Sequence, residues 1–239
     1  MSRRGCGFFI AGTDTGCGKT RVTVALLRAL RGAGIAAIGM KPVAAGTIST
    51  GSAMINDDVA KIAAESYDEN GLRPHQTQIN PYCFESPVSP NIAAQQTGVQ
   101  IDLNRIASAY SRLSERCACV MVEGTGGWLC PIGPDASMAD VAHKLALPVV
   151  MVVGMRLGCL NHALLTAQGI ERAGLRLAGW IASVIEPAML ALPENLETLR
   201  SRLRAPHLAA LPYAIDCTSD AARLHSAALA LLQSAAGPC

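Results

Sequence analysis

The sequence predicts an α/β protein built on a single doubly wound, mainly parallel sheet flanked by helices. Three observations lead there. Short, almost unbroken apolar runs recur along the chain, stretches with helical spacing separate them, and a glycine-rich loop joins the first run to the first helix. Strands covered by helices on both faces have no water-facing side, so continuous apolar character marks them rather than alternation. Regular exchange of such strands with helices is the pattern of a doubly wound fold.

In chain order, the first strand is expected at 7–11, and the helix 19–33, rich in Val, Ala and Leu, follows the glycine loop. Gly34 comes next and suits the positive dihedral of a helix C-terminus. A second strand at 35–40 ends against Lys41. From about 45 to 100 the chain is looser, with Gly, Ser, Asn and Pro, and only 57–67 reads as a helix. Such an excursion beside the carboxyl ends of strands is a natural substrate wall. Further strands are expected at 117–122, 149–153, 177–184 and 208–211, and helices at 103–116, 138–147, 161–173, 194–204 and 220–232. Gly174 and Gly237 are read as caps like Gly34. With no repeat, low-complexity tract or linker, residues 1–239 are expected to form one domain.

Half of the residues are hydrophobic, 16% are charged, and the mean hydropathy is +0.29, which supplies a core and excludes a disordered chain. The formal net charge is +2, and the only basic run is the short Ser2-Arg3-Arg4 start, so no nucleic-acid partner is expected. Apolar runs such as 145–155 are broken by Pro148 and Gly154 and fall short of the ~20 residues that span a bilayer. Neither a membrane helix nor a signal peptide is expected. Nine cysteines, an odd number without a C-x-x-C pair, read as reduced thiols of a cytoplasmic protein.

Immediately after the first strand stands Gly12-Thr13-Asp14-Thr15-Gly16-Cys17-Gly18-Lys19-Thr20. Gly16 and Gly18 let the backbone bend so that successive N–H groups point inward, and the helix N-terminus adds partial positive charge toward a phosphate. Lys19 is placed to reach the outer phosphates and the Thr20 hydroxyl to ligate magnesium. Five residues separate Gly12 from Gly18, one more than in the generic loop. Cys17 reads as a small filler side chain.

Lysine is scarce, at four residues against sixteen arginines. Parallel neighbours bring their carboxyl ends together, so Lys41 is expected to face the crevice of Lys19. Two converging ammonium groups suit a transition state whose charge is spread over phosphoryl oxygens. Glu123, at the tip of an apolar strand, is a second magnesium ligand, and Gly124, Gly126 and Gly127 let backbone approach phosphates or substrate. In Asn56-Asp57-Asp58-Val59 either aspartate serves as a helix N-cap or as a third ligand, and spacing does not choose between them. Trp128 and Trp180 are read as core packing rather than base stacking.

Taken together, these segments resemble the dethiobiotin synthetase family of biotin biosynthesis. The segments that carry the resemblance are the long loop, Lys41-Pro42-Val43, Pro81-Tyr82 with Ser89-Pro90, and Val122-Glu123-Gly124-Thr125-Gly126-Gly127-Trp128. Leu157-Gly158-Cys159-Leu160-Asn161-His162 and Ala178-Gly179-Trp180 extend it, in the family's order, over roughly residues 5 to 215. The resemblance implies a phosphate-loop NTPase-like fold and an ATP-dependent ring closure. In that reaction 7,8-diaminopelargonic acid and carbon dioxide form a carbamate, ATP phosphorylates it, and the neighbouring amine closes the ring with release of phosphate.

By position, the resemblance gives Lys19 and Lys41 the catalytic roles, and gives Mg2+ the ligands Thr20, Asp58 and Glu123. Asp58 is preferred over Asp57 because it matches the family aspartate before a small aliphatic residue. Along the nucleoside triphosphate the resemblance places Thr15, Gly16, Cys17, Gly18, Lys19, Thr20 and Arg21. It adds Asp58, Glu123, Gly124, Thr125, Gly126, Ser183 and Pro212 to that site. For the substrate it implies Lys41, Ala45, Gly158 and Asn161, with Asn161 reaching the site from the neighbouring subunit of a homodimer. Three positions depart from the family pattern. Ala45 stands where Ser or Thr is frequent, with Thr47 nearby to replace the lost hydroxyl. Ser183 stands where many members carry an adenine-reading asparagine, which implies relaxed nucleobase use. Asn195 stands near a tyrosine position at the subunit boundary.

Two other classes share the fold and a similar loop. A cobyrinic-acid-type ligase is expected to carry an appended glutaminase domain, for which 239 residues leave no room. A partitioning or targeting ATPase is expected to carry a second loop lysine where Asp14 stands, and a basic or amphipathic docking surface.

Overall fold

The computed structural model describes residues 5–49, 54–214 and 217–235. Arg3, Arg4, Gly237 and Cys239 lie outside them. The main sheet has six strands in the order β10-β9-β8-β1-β7-β2, all paired in parallel. They are β1 (Cys6–Gly12), β2 (Ala37–Met40), β7 (Cys119–Glu123), β8 (Val149–Met155), β9 (Leu177–Val184) and β10 (His207–Leu211). All six expected strands are present, and the four central ones are almost wholly buried, as helices on both faces require.

The flanking helices are α1 (Lys19–Gly32), α2 (Asp57–Glu65), α3 (Gln76–Ile79), α4 (Pro90–Thr97), α5 (Leu103–Ser114), α6 (Met138–Leu145), α7 (Cys159–Arg172), α8 (Leu192–Arg202) and α9 (Asp220–Ala235). Helix α1 packs Val22, Leu26, Leu27 and Leu30 onto the sheet with no exposed surface. Gly34 and Gly174 take φ of +75° and +72° just beyond α1 and α7, as expected of caps. Trp128 meets Phe9 edge-on at 6.3 Å and Trp180 lies 4.2 Å from the His207 ring, so both tryptophans pack in the core. No helix of the described residues is long and apolar enough to cross a membrane.

Four expectations are corrected. The second strand begins at Ala37 rather than at 35, because the Ile35 N–H still bonds the Leu30 carbonyl of the helix end. Helix α7 begins at Cys159 and α8 at Leu192, each two residues before the expected start. Neither aspartate caps α2: the Asn56 side chain accepts from the Val59 N–H instead. The stretch 45–100 is more ordered than its composition suggests. Besides α2 it contains α3 and α4, and β3 (Val43–Ala45) pairs in parallel with β6 (Tyr82–Phe84). A further antiparallel pair joins β4 (Ile48–Ser49) to β5 (Met54–Ile55). Pro90 there opens a helix rather than breaking one, since a first-turn residue needs no N–H partner.

Strand order also differs from the simplest arrangement. β2 lies beside β7, not β1, so three carboxyl ends stand in the row β2, β7, β1. Lys41, Glu123 and Gly12 occupy those ends.

Candidate functional site

A cavity of about 620 Å3 opens at that row. The loop contributes Thr15, Gly16, Gly18, Lys19, Thr20 and Arg21 to its wall. Opposite them stand Lys41, Ala45 and Asp58, with Thr125 and Gly126 completing one side. Lys19 and Lys41 therefore line one cavity although their strands are not neighbours.

The loop is shaped by close contacts. Lys19 Nζ donates to the Asp14 carbonyl at 2.8 Å and approaches Cys17 Sγ at 3.8 Å. A Cβ on Gly12 would lie 2.6 Å from Cys17 Sγ and 2.7 Å from Lys19 Nζ, so only glycine fits where β1 turns into the loop. Cys17 is buried and fills space against Gly154, in keeping with a packing role. The Asp14 carboxylate accepts from Arg156, just beyond β8, and from the Thr15 N–H at 2.7 Å.

Lys41 lies between two carboxylates. Its ammonium donates to Glu123 Oε1 at 2.7 Å and to Asp58 Oδ2 at 2.6 Å. Thr20 Oγ1 donates to the same Glu123 oxygen at 2.7 Å. Burial alone would push the Lys41 ammonium down, but Glu123 and Asp58 outweigh it and hold it above the ordinary lysine value. Burial likewise opposes the charge of Asp58, and Lys41 with the Thr20 hydroxyl overcomes it, so this carboxyl titrates below its usual range. Asp57 points away and pairs with exposed Lys61 at 2.5 Å, which separates the two aspartates that spacing left equivalent.

Asp58 and Glu123 thus flank the Lys41 ammonium, and the Thr20 hydroxyl adjoins them through Glu123, which gathers three hard oxygen groups in one place. Glu123 Oε2 is buried without a hydrogen-bond partner, an oxygen left over for a further cation. Two carboxylates and a hydroxyl suit Mg2+, which typically takes one or two carboxylates and completes its shell with phosphates and water. No group of three His, Cys, Asp or Glu side chains among the described residues offers a metal site by itself.

Other expected residues stand farther back. Gly124 packs against the Phe9 ring. The Arg21 guanidinium is held by both Asp220 oxygens, at 2.5 and 2.9 Å, tying α1 to α9. Ser183 lies beneath Gly18 with no exposed surface and an unpartnered hydroxyl. Pro212 follows β10, exposed, and is not in the cavity wall. Gly158 and Asn161 are also exposed and outside that wall. Gly158, with φ +94°, is the cap of α7, so Asn161 is an internal first-turn residue and not the N-cap.

Sequence reasoning missed several supports. Asn80 Nδ2 donates to the carbonyls of Lys41 at 2.6 Å and Tyr82 at 2.9 Å, fixing the backbone that carries the ammonium. Asn56 Nδ2 donates to the Gly46 carbonyl at 2.7 Å and so pins the wall near Ala45. The Thr125 hydroxyl donates to the Val43 carbonyl. Asn80-Pro81 is a turn signal, yet nothing local points it at Lys41.

A family model described as an AAA domain matches residues 6–221. The ATP-dependent dethiobiotin synthetase BioD of Aromatoleum aromaticum is 50% identical over 206 residues, covering 86% of this chain and 90% of that protein. The enzyme of the same name from Nitrosospira multiformis is 44% identical over 222 residues, covering 93% and 94%. Among solved structures, the cell division ATPase MinD of Pyrococcus furiosus superposes with a TM-score of 0.58 at 15% identity, covering 97% of this chain and all of that one. At that identity the likeness carries the fold alone.

Proposed function

Because the chain belongs to the ATP-dependent dethiobiotin synthetase family, within the broader AAA-domain group, we propose that it joins 7,8-diaminopelargonic acid and carbon dioxide at the expense of ATP, forming dethiobiotin, ADP and phosphate. The observation that carries this reading is the convergence of Lys19 and Lys41 on one cavity, with Thr20, Asp58 and Glu123 gathered behind them.

In this reading the loop N–H groups and Lys19 hold the outer phosphates, and leaving the Asp14 carbonyl frees the Lys19 ammonium for them. Thr20, Asp58 and Glu123 would hold Mg2+, which would supply charge neutralisation at the phosphates. Lys41 then faces the carbamate and its phosphorylated form, where its charge offsets that of crowded anions. Asn80 keeps it in place through the backbone. The protein contributes positioning and electrostatics, and the substrate's own amine is the nucleophile.

The substrate's distant carboxylate is assigned to the start of α7 in a second copy of the chain. Gly158 and Asn161 lie outside this chain's own cavity, and apolar Leu157 beside them is 96% exposed, with Leu165 at 59% on the same helix. These features support a homodimer in which each copy completes the other's site. No disulfide joins the described cysteines, which supports a reducing compartment such as the cytoplasm.

The test is turnover with product analysis by mass spectrometry. ATP hydrolysis is expected to be slow or absent alone and rapid when the diamine and bicarbonate are both supplied, with dethiobiotin as product. Equal turnover without the diamine would overturn the assignment. A second expectation concerns the base. Ser183 presents no amide edge and is buried under the loop, so kcat/KM for ATP, CTP and GTP should agree within about tenfold. A preference for ATP greater than about a hundredfold would show that another group reads adenine.

A further inference from the structure

Cys6 opens β1 and Cys119 opens β7, and the two are direct partners in the parallel ladder. Neighbouring strands lie about 4.8 Å apart, within the ~4.4–6.8 Å between Cα atoms that a disulfide spans. Cys119 has no exposed surface, whereas Cys6 is partly exposed. Cys6 lines a cavity of about 530 Å3 with Gly5, Tyr110, Leu147 and Arg176. This is the amino end of the strands, opposite the phosphate loop.

The two thiols differ in character. Cys119 beside it holds the Cys6 thiol below its ordinary value, and Cys6 together with burial holds Cys119 well above its own. Cys117 is turned elsewhere: its Sγ donates to the carbonyls of Cys119 at 3.2 Å and Leu113 at 3.4 Å, and burial pushes it up to about 12. One thiol thus faces a cavity, and its ladder partner is wholly buried.

We propose that Cys6 and Cys119 form a hydroperoxide-reactive dithiol that closes to a disulfide between β1 and β7. The Cys6 thiolate attacks one peroxide oxygen, the O–O bond breaks, and hydroxide leaves with Cys6 as the sulfenic acid. The Cys119 sulfur then attacks the Cys6 sulfur, the S–O bond breaks, and water departs with the Cys119 proton. Two thiols are oxidised by two electrons and one peroxide is reduced. A bridge between directly paired parallel strands is constrained at both ends, which favours reversibility by small thiols.

The experiment treats the reduced full-length protein with hydrogen peroxide, blocks free thiols with iodoacetamide and maps peptides without reductant. A Cys6–Cys119 linked peptide is expected, lighter by two hydrogens and cleaved by dithiothreitol. It should form about tenfold faster than oxidation of Cys83, an exposed thiol whose own value is raised by burial. In Cys119→Ser the link is lost and a Cys6 sulfenic acid accumulates that dimedone captures. Because a buried serine can disturb β7, Cys6→Ser at the partly exposed position is the second arm, and there Cys119 should stay reduced. Oxidation of Cys83 ahead of Cys6, or a link from Cys6 to any other cysteine, overturns the proposal.

Discussion

Lys41→Gln is expected to lower kcat for ring closure by about 10^2- to 10^3-fold, while KM for ATP moves only a few-fold. The amide keeps a hydrogen-bond donor beside Glu123 but removes the charge that offsets the developing anion. The phosphate loop, Lys19 and Thr20 are untouched, so nucleotide binding persists. Lys41→Ala should be more severe, because Glu123 has no exposed surface and would keep the Thr20 hydroxyl as a partner but lose its countercharge. Breaking a buried ion pair from one side costs about 3–5 kcal/mol, so the alanine variant is also expected to melt early. Steady-state kinetics with thermal unfolding separate the two effects. An unchanged kcat with a raised KM for ATP would make Lys41 a nucleotide-binding group instead.

Gly18→Ala is expected to lower stability through the backbone and the packing together. Gly18 has φ +94°, a conformation that costs an L-residue about 1–2 kcal/mol. Its new Cβ would lie 2.4 Å from Ser183 Oγ and 3.1 Å from Ser183 Cβ. Ser183 is wholly buried on β9 and has no room to retreat, so overpacking adds about 1–3 kcal/mol. The total of about 2–5 kcal/mol corresponds to a fall in melting temperature of roughly 5–15 °C for a chain of this size. Combining it with Ser183→Gly removes both close contacts and should restore the overpacking part, leaving the backbone part. Chemical denaturation of the parent, both single variants and the double variant reads this directly. A single variant within about 2 °C of the parent would sink the argument.

The parts of the fold that depend on local pattern were legible. Unbroken apolar runs identified every strand of the main sheet, and the loop placed Lys19 and Thr20 at a helix start. Strand order was not legible, because the insertion of β7 between β1 and β2 rests on pairings between residues far apart in sequence, Cys6 with Cys119 and Ala37 with Cys119. Glu123 and Lys41 were found as polar tips of apolar strands, whereas their mutual bond emerges only from that pairing. Asn80, Asn56 and the Asp14–Arg156 pair carry no local signature: each acts on a residue brought close by the fold. Helix α4 was hidden by its own proline, which reads as a breaker until its place in the first turn is known.

The order of the sheet also divides the gene. The cradle's charged groups Lys19, Lys41, Asp58 and Glu123 all fall between β1 and the end of β7, on the side of β1 that leads to β2. The remaining strands, β8 to β10, extend the other way and meet the loop at several seams, among them Gly18 against Ser183, Cys17 against Gly154 and Asp14 against Arg156. A chimera recombined between β7 and α6 would inherit its chemistry from one parent and its far wall from the other. Compatibility at those seams would decide whether such a hybrid works.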